Sequence, residues 1–145
     1  MKVLLAYDGS ENSRPALEEV ARIAREGDVT VTALSVVPTD EAPSRFGTGP
    51  RPHAQDDAAE AHSYLRERGI ECEMKVEEGV PAEEILKEAR AGGYDMIVTG
   101  TRGRGPVARL LMGSVSHKVT DGAPCTVIVV GEEHHVRVEP QGKNK

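Results

Sequence analysis

Two stretches of the sequence combine residue types and spacing that could act on an anionic ligand. The first is Asp8-Gly9-Ser10, directly after a short apolar run at residues 3–7. A short acid placed there can accept hydrogen bonds from ribose hydroxyls or support a metal on phosphates. The alternative is that Asp8 and Ser10 cap the helix that follows, as both residue types readily do. The second stretch reads Gly100-Thr101-Arg102-Gly103, then nine residues, then Gly113-Ser114 at the start of a helix. Gly100 and Gly103 let the backbone take positive φ and approach a ligand with no Cβ in the way. Gly113 and Ser114 put free amides and a hydroxyl at a helix N-terminus, which attracts anions. Val115, the next residue of that turn, is counted with them. Arg102, Arg104 and Arg109 add positive charge to a chain that is acidic overall, although each could equally be a solvated loop residue. Together these residues describe a phosphate cradle, against the plainer reading that the glycines only serve turns.

The elements that must position the two loops follow from the hydrophobic period. Residues 3–7 are apolar throughout and stop at Asp8, the pattern of a strand buried on both faces. Ala16, Leu17, Val20, Ala21 and Ala24 then fall at helical spacing, and Gly27 ends the helix. Residues 30–37 are β-branched and apolar and predict a second strand. Residues 38–53 carry four prolines and two glycines and predict a flexible loop. A helix over 54–68, a strand over 70–76 with one solvated face, and a helix opened by Pro81 and closed by Gly92-Gly93 come next. Residues 96–99 predict the fourth strand. After the glycine loop, a helix from Ser114 leads to a last strand over 126–130. Strands alternating with helices predict an α/β fold, a single parallel sheet with helices on both faces. The domain is expected over 1–131, with 132–145 a polar, frayed C-terminal tail.

Composition narrows the function classes. The chain of 145 residues suits one domain; it is 38% hydrophobic, with one Phe, three Tyr and no Trp. That supports an aliphatic core and offers little for stacking nucleobases. Eighteen basic and twenty-four acidic residues give a formal charge of −6, which argues against binding to nucleic acid or an anionic membrane. No run approaches a membrane span or a secretory leader, so the expected location is cytoplasmic. Cys72 and Cys125 sit in strand-like segments without metal-ligand spacing and read as reduced thiols. His117, in the helix behind the cradle, reads as surface or packing. His53 and His62 default to solvent, and His134 and His135 offer at most a weak adventitious metal site.

With these residues in place, the sequence resembles the universal stress protein family over nearly the whole of residues 3–130. The carrying features are Asp8-Gly9-Ser10 with Ser13 and Ala16-Leu17, and the spacing Gly100-x2-Gly103-x9-Gly113-Ser114. Ser116-x2-Val119 and the ending Ala123-Pro124-Cys125-Thr126-Val127-Ile128-Val129-Val130 also match. Within that family the complete glycine pattern is similar to the ATP-binding branch. The resemblance implies an open five-stranded sheet in the order 3-2-1-4-5, Rossmann-like and similar to the adenine nucleotide alpha hydrolases, and a homodimer. It also implies adenosine phosphates held between the ends of the first and fourth strands. Asp8, with Gly9 and Ser10, would lie near the ribose and the backbone of Val36 and Val37 would meet the adenine edge. Gly100, Thr101, Arg102, Gly103, Gly113, Ser114 and Val115 would hold ribose and phosphates. In that strand order, residues 126–130 would form an apolar, uncharged edge, which natural proteins avoid. Pairing with a second copy across a two-fold axis is the expected remedy.

A nucleotide site does not by itself make an enzyme. The loop has arginines but no Gly-Lys-Ser/Thr, and Asp8 is the one acid obviously near it. The expectation is a binding protein: ATP or another adenine nucleotide, optionally with Mg²⁺, controls a regulatory dimer in a stress response. The alternatives are a slow ATPase or phosphotransferase, and an interaction module that ignores nucleotide.

Overall fold

The computed structural model describes residues 1–11, 13–38, 54–100, 114–131 and 136–139. Among the described residues ten elements follow one another: β1 Lys2–Ala6, α1 Arg14–Ala24, β2 Thr30–Pro38, α2 Ala54–Arg66, β3 Glu71–Gly79, α3 Pro81–Gly92, β4 Met96–Gly100, α4 Ser114–Gly122, β5 Thr126–Val130 and β6 Val136–Glu139. They build one sheet in the order β3-β2-β1-β4-β5-β6. The first five strands are parallel, in the expected order 3-2-1-4-5.

β1 is central, and its apolar residues alternate between the two faces of the sheet. Val3 and Leu5 join a core under α1 and α2 with Leu17, Val20, Ala61 and Leu65. Leu4 and Ala6 join a second core under α3 and α4 with Ile85, Ala89, Val119 and Val127. Two-sided burial explains why this strand reads as an unbroken apolar run. The helix signals act as expected. α1 carries Pro15 in its first turn, α3 opens on Pro81, and α3 is closed by Gly93 in the left-handed region at φ 66°. Among the described residues, no helix is long and apolar enough to cross a membrane.

The structure departs from expectation at both ends of the sheet. β3 runs to Gly79, three residues beyond the predicted 76, because it stays in register with β2 as far as Pro38↔Gly79. It is the outer strand on that side, and of β3 Cys72 alone is buried. At the other end, the tail expected to fray contributes β6, which pairs antiparallel with β5 from Val130↔Val136 to Val127↔Glu139. The open β5 edge that was expected to pair with a second copy is thus taken by the chain's own β6, and the argument for a dimer from an unpaired β5 does not hold. The predicted loop over 38–53 lies outside the described residues beyond Pro38.

Candidate functional site

The sheet changes winding direction at β1. The chain leaves β1 for β2 on one side and, after β3, crosses back to β4 on the other, so the carboxyl ends of β1 and β4 adjoin with Leu5 opposite Val98. In open α/β sheets this switch point is where ligands bind. Asp8 follows β1 and Gly100 ends β4, so the two loops singled out from the sequence emerge side by side.

The first loop is built by its own polar groups. The Tyr7 amide donates to Leu34 O at 3.0 Å, continuing the β1–β2 ladder by one residue. Ser35 Oγ, buried, donates to Tyr7 O at 2.6 Å and fixes the strand end. Asp8 Oδ1 then accepts the Ser10 amide at 2.9 Å, an Asx turn, with Gly9 at φ 79° between them. Ser10 O accepts the amides of Ser13 and Arg14 at 3.1 and 3.2 Å and the Ser13 hydroxyl at 3.0 Å. Ser10 Oγ also accepts the Ser13 amide, at 3.2 Å. Asp8 and Ser10 therefore do shape the entry to α1, the plainer of their two expected roles. They do so from a half-exposed position at the carboxyl edge of the sheet.

The other described site residues gather around the same edge. β2 outruns β1: the β1 ladder ends at Ala6↔Leu34, while Val36 and Val37 pair with Glu77 and Glu78 of β3. The Tyr7 amide bonds Leu34 O, and backbone groups alternate sides along a strand, so those of Val36 point to the β1 side, above Tyr7, while those of Val37 point to β3. Gly100 is buried at the end of β4 opposite Val130. α4 runs back against the strand direction, which brings its first turn, with Ser114, to this end of the sheet. Val115 and Val36 both pack on the core beneath α3 and α4. Thr101, Arg102, Gly103, Arg104, Arg109 and Gly113 lie outside the described residues, as do His53, His134 and His135. His117 is exposed, 3.6 Å from Asp121 on the same helix, in keeping with a surface role. His62 is half-buried on α2 rather than solvated. Cys72 is buried and its thiol is pushed up to about 11 by that burial. Among the described residues no group of three or more His, Cys, Asp or Glu could hold a metal.

Sequence reasoning missed one cluster beside this loop. The Tyr7 hydroxyl donates to Glu60 Oε1 at 3.0 Å and Arg14 Nη1 donates to Glu60 Oε2 at 3.0 Å. Burial, then the hydrogen bond and charge of Glu60, push the Tyr7 phenol up to about 12. No local pattern links positions 7, 14 and 60, because α2 reaches them only through the tertiary fold.

Fold and switch point together define a doubly wound α/β protein whose candidate site is the carboxyl edge at β1 and β4. Comparison with known proteins supplies the family. The model of the universal stress protein family matches residues 1–131. Universal stress protein YxiE of Bacillus subtilis is 31% identical over 144 residues, covering 89% of this chain and 97% of its own. Among solved structures, hypothetical protein MJ0577 superposes with a TM-score of 0.74 at 24% identity, over 99% of this chain and 97% of that one. An Arabidopsis thaliana family protein with AMP bound gives 0.69 at 21%, over 89% and 90%. The Archaeoglobus fulgidus universal stress protein in complex with dAMP gives 0.65 at 24%, over 89% and 96%. The chain belongs to the universal stress protein family.

Proposed function

We propose that this chain binds an adenine nucleotide, ATP in the first instance, between the ends of β1 and β4, and acts as a nucleotide-dependent regulator in the cytoplasmic stress response. The observation that carries the reading is the convergence at one sheet edge of the Asp8 turn, the β1-facing backbone of Val36, the buried Gly100 and the first turn of α4. These groups suit the parts of a nucleotide: an acid for ribose hydroxyls, backbone for the adenine edge, and helix amides for phosphate. That family structures hold AMP and dAMP supports the same choice of ligand class. The proposed set is Asp8, Gly9, Ser10, Val36, Val37, Gly100, Thr101, Arg102, Gly103, Gly113, Ser114 and Val115. Mg²⁺ would accompany the phosphates, with Asp8 the one acid of the proposed set.

The chain is read as a binding protein rather than an enzyme. We propose that it works as a homodimer, through a surface other than the β5 edge that β6 covers. The test is mass spectrometry of small molecules released on denaturing the purified protein, repeated on Gly113→Val. Adenine nucleotide from the wild type and none from the variant is the expected result. A wild type that carries none, and takes up no ATP with Mg²⁺ on titration, would sink the reading. Ser114→Ala is expected to weaken binding by about 1–2 kcal/mol, the scale of one hydrogen bond to a charged group.

A further inference from the structure

We infer that Glu60 of α2 is a positioning residue for the Asp8 loop, its one carboxylate clamping both ends of the turn at once. The inference rests on the nucleotide reading only for its functional consequence, since the clamp itself is a matter of geometry. Tyr7 is the residue immediately before Asp8, and Arg14 is the first residue of α1, so the two flank the turn on its strand side and its helix side. Glu60 Oε1 accepts from the Tyr7 hydroxyl at 3.0 Å and Oε2 from Arg14 Nη1 at 3.0 Å. A carboxylate is rigid and planar, so two bonds to its two oxygens fix the separation of the groups that donate them. α2 adds a second hold one turn further on. The Tyr64 ring lies under the Arg14 guanidinium at 5.1 Å, and Arg68 stacks on the same ring at 3.5 Å.

The two donors differ in what they stand to lose. Arg14 and Glu60 have side chains 43% and 47% exposed, and an ion pair that exposed adds little to global stability. Tyr7 is 3% exposed, and its carbonyl is already held by Ser35. The phenol therefore cannot swing out to find another partner without breaking the strand end. Loss of the Glu60 carboxylate is thus expected to loosen the turn locally while the sheet stays intact. Because α2 follows directly on residues 39–53, the same carboxylate joins the Asp8 loop to a helix 46 positions along the chain from Arg14.

The decisive experiment compares the wild type, Glu60→Gln, Tyr7→Phe and the double variant as full chains. Amide hydrogen exchange is measured first, without ligand. The amides of Ser10, Ser13 and Arg14, which make the turn's hydrogen bonds, are expected to exchange about 5-fold faster in either single variant. Those of β1 and β4 keep wild-type rates. ATP titration follows, with about 5-fold weaker binding expected in Glu60→Gln, a smaller loss in Tyr7→Phe, which removes one of the two bonds, and the double variant no weaker than Glu60→Gln. Unchanged turn amides in both variants overturn the inference. So does equal acceleration in β1 and β4, which would make Glu60 a global stabiliser. A wild type that binds no adenine nucleotide would defeat the proposed function instead, and the exchange arm would still decide the clamp.

Discussion

Tyr7 and Asp8 are neighbours at the end of β1, yet one is packed under α2 and the other turns to the sheet edge. Asp8 Oδ1 supports the turn by accepting the Ser10 amide, so two variants separate its structural and ligand roles. Asn keeps the side-chain carbonyl that makes an Asx turn and loses only the charge. Asp8→Ala is expected to weaken ATP binding about 10-fold or more, and Asp8→Asn by less, in calorimetric titration. Equal affinity in all three proteins would remove Asp8 from the site. Tyr7 carries a different signal, in alkali. Its phenol is held up to about 12 in the folded protein, against an ordinary value near 10. Below pH 10 the phenol is neutral in folded and unfolded chains and its contribution is fully present. Above it the unfolded chain ionises first, so unfolding releases a proton and stability falls as pH climbs toward 12. Tyr94, also pushed up to about 12 and mainly by burial, adds a parallel loss on the same reasoning. Denaturant titrations from pH 9 to 12 are expected to show a shallower decline in Tyr7→Phe, which keeps the shares of Tyr94 and of the buried Cys72 thiol.

At the scale of elements, the glycine that closes α3 offers a clean measure of backbone cost. Gly93 sits at φ 66°, and a Cβ built there would meet nothing within 4 Å. Gly93→Ala therefore carries no steric penalty from neighbours, and its expected loss of about 1 kcal/mol comes from the left-handed backbone alone. Thermal or chemical unfolding checks this, and a neutral result would show the cap relaxing at no cost. Signals of this local kind are what made most of the fold legible. The unbroken apolar run of β1, the helical spacing of Ala16, Leu17, Val20 and Ala21, and Pro81 at the start of α3 each depend on a few adjacent residues. The Asp8 turn was legible for the same reason, since acid, glycine and serine stand together after a strand. Val36 and Val37 had no local mark and entered through the family resemblance, and only the unequal lengths of β1 and β2 show that β2 runs past β1 at this end of the sheet. The Glu60 clamp and β6 were illegible because neither is local. Val136-Arg137-Val138-Glu139 is too short and too charged to announce a strand, and it becomes one by lying along β5.

For the whole molecule, β6 alters what the sheet presents to other copies of the chain. Residues Val127 to Val130 are buried on both faces, so the exposed liability of β5 would be its backbone edge rather than its side chains. A parallel, apolar, uncharged strand with free amides and carbonyls along one side is a template for a further strand. β6 satisfies it along four pairings, from Val127↔Glu139 to Val130↔Val136, and substitutes a shorter edge carrying Arg137 and Glu139. The opposite edge is managed by charge instead, since β3 bears Glu71, Glu73, Glu77 and Glu78, all exposed. The chain ending at Gly131 tests the account of β6. It keeps the five parallel strands and both cores, so it is expected to fold, but it uncovers β5. Light scattering across micromolar concentrations is expected to show the shortened chain associating at lower concentration than the full chain, as dimers or larger species. If the two proteins give the same mass and solubility throughout, β6 does not guard that edge, and whatever assembly the protein forms must be sought on another surface.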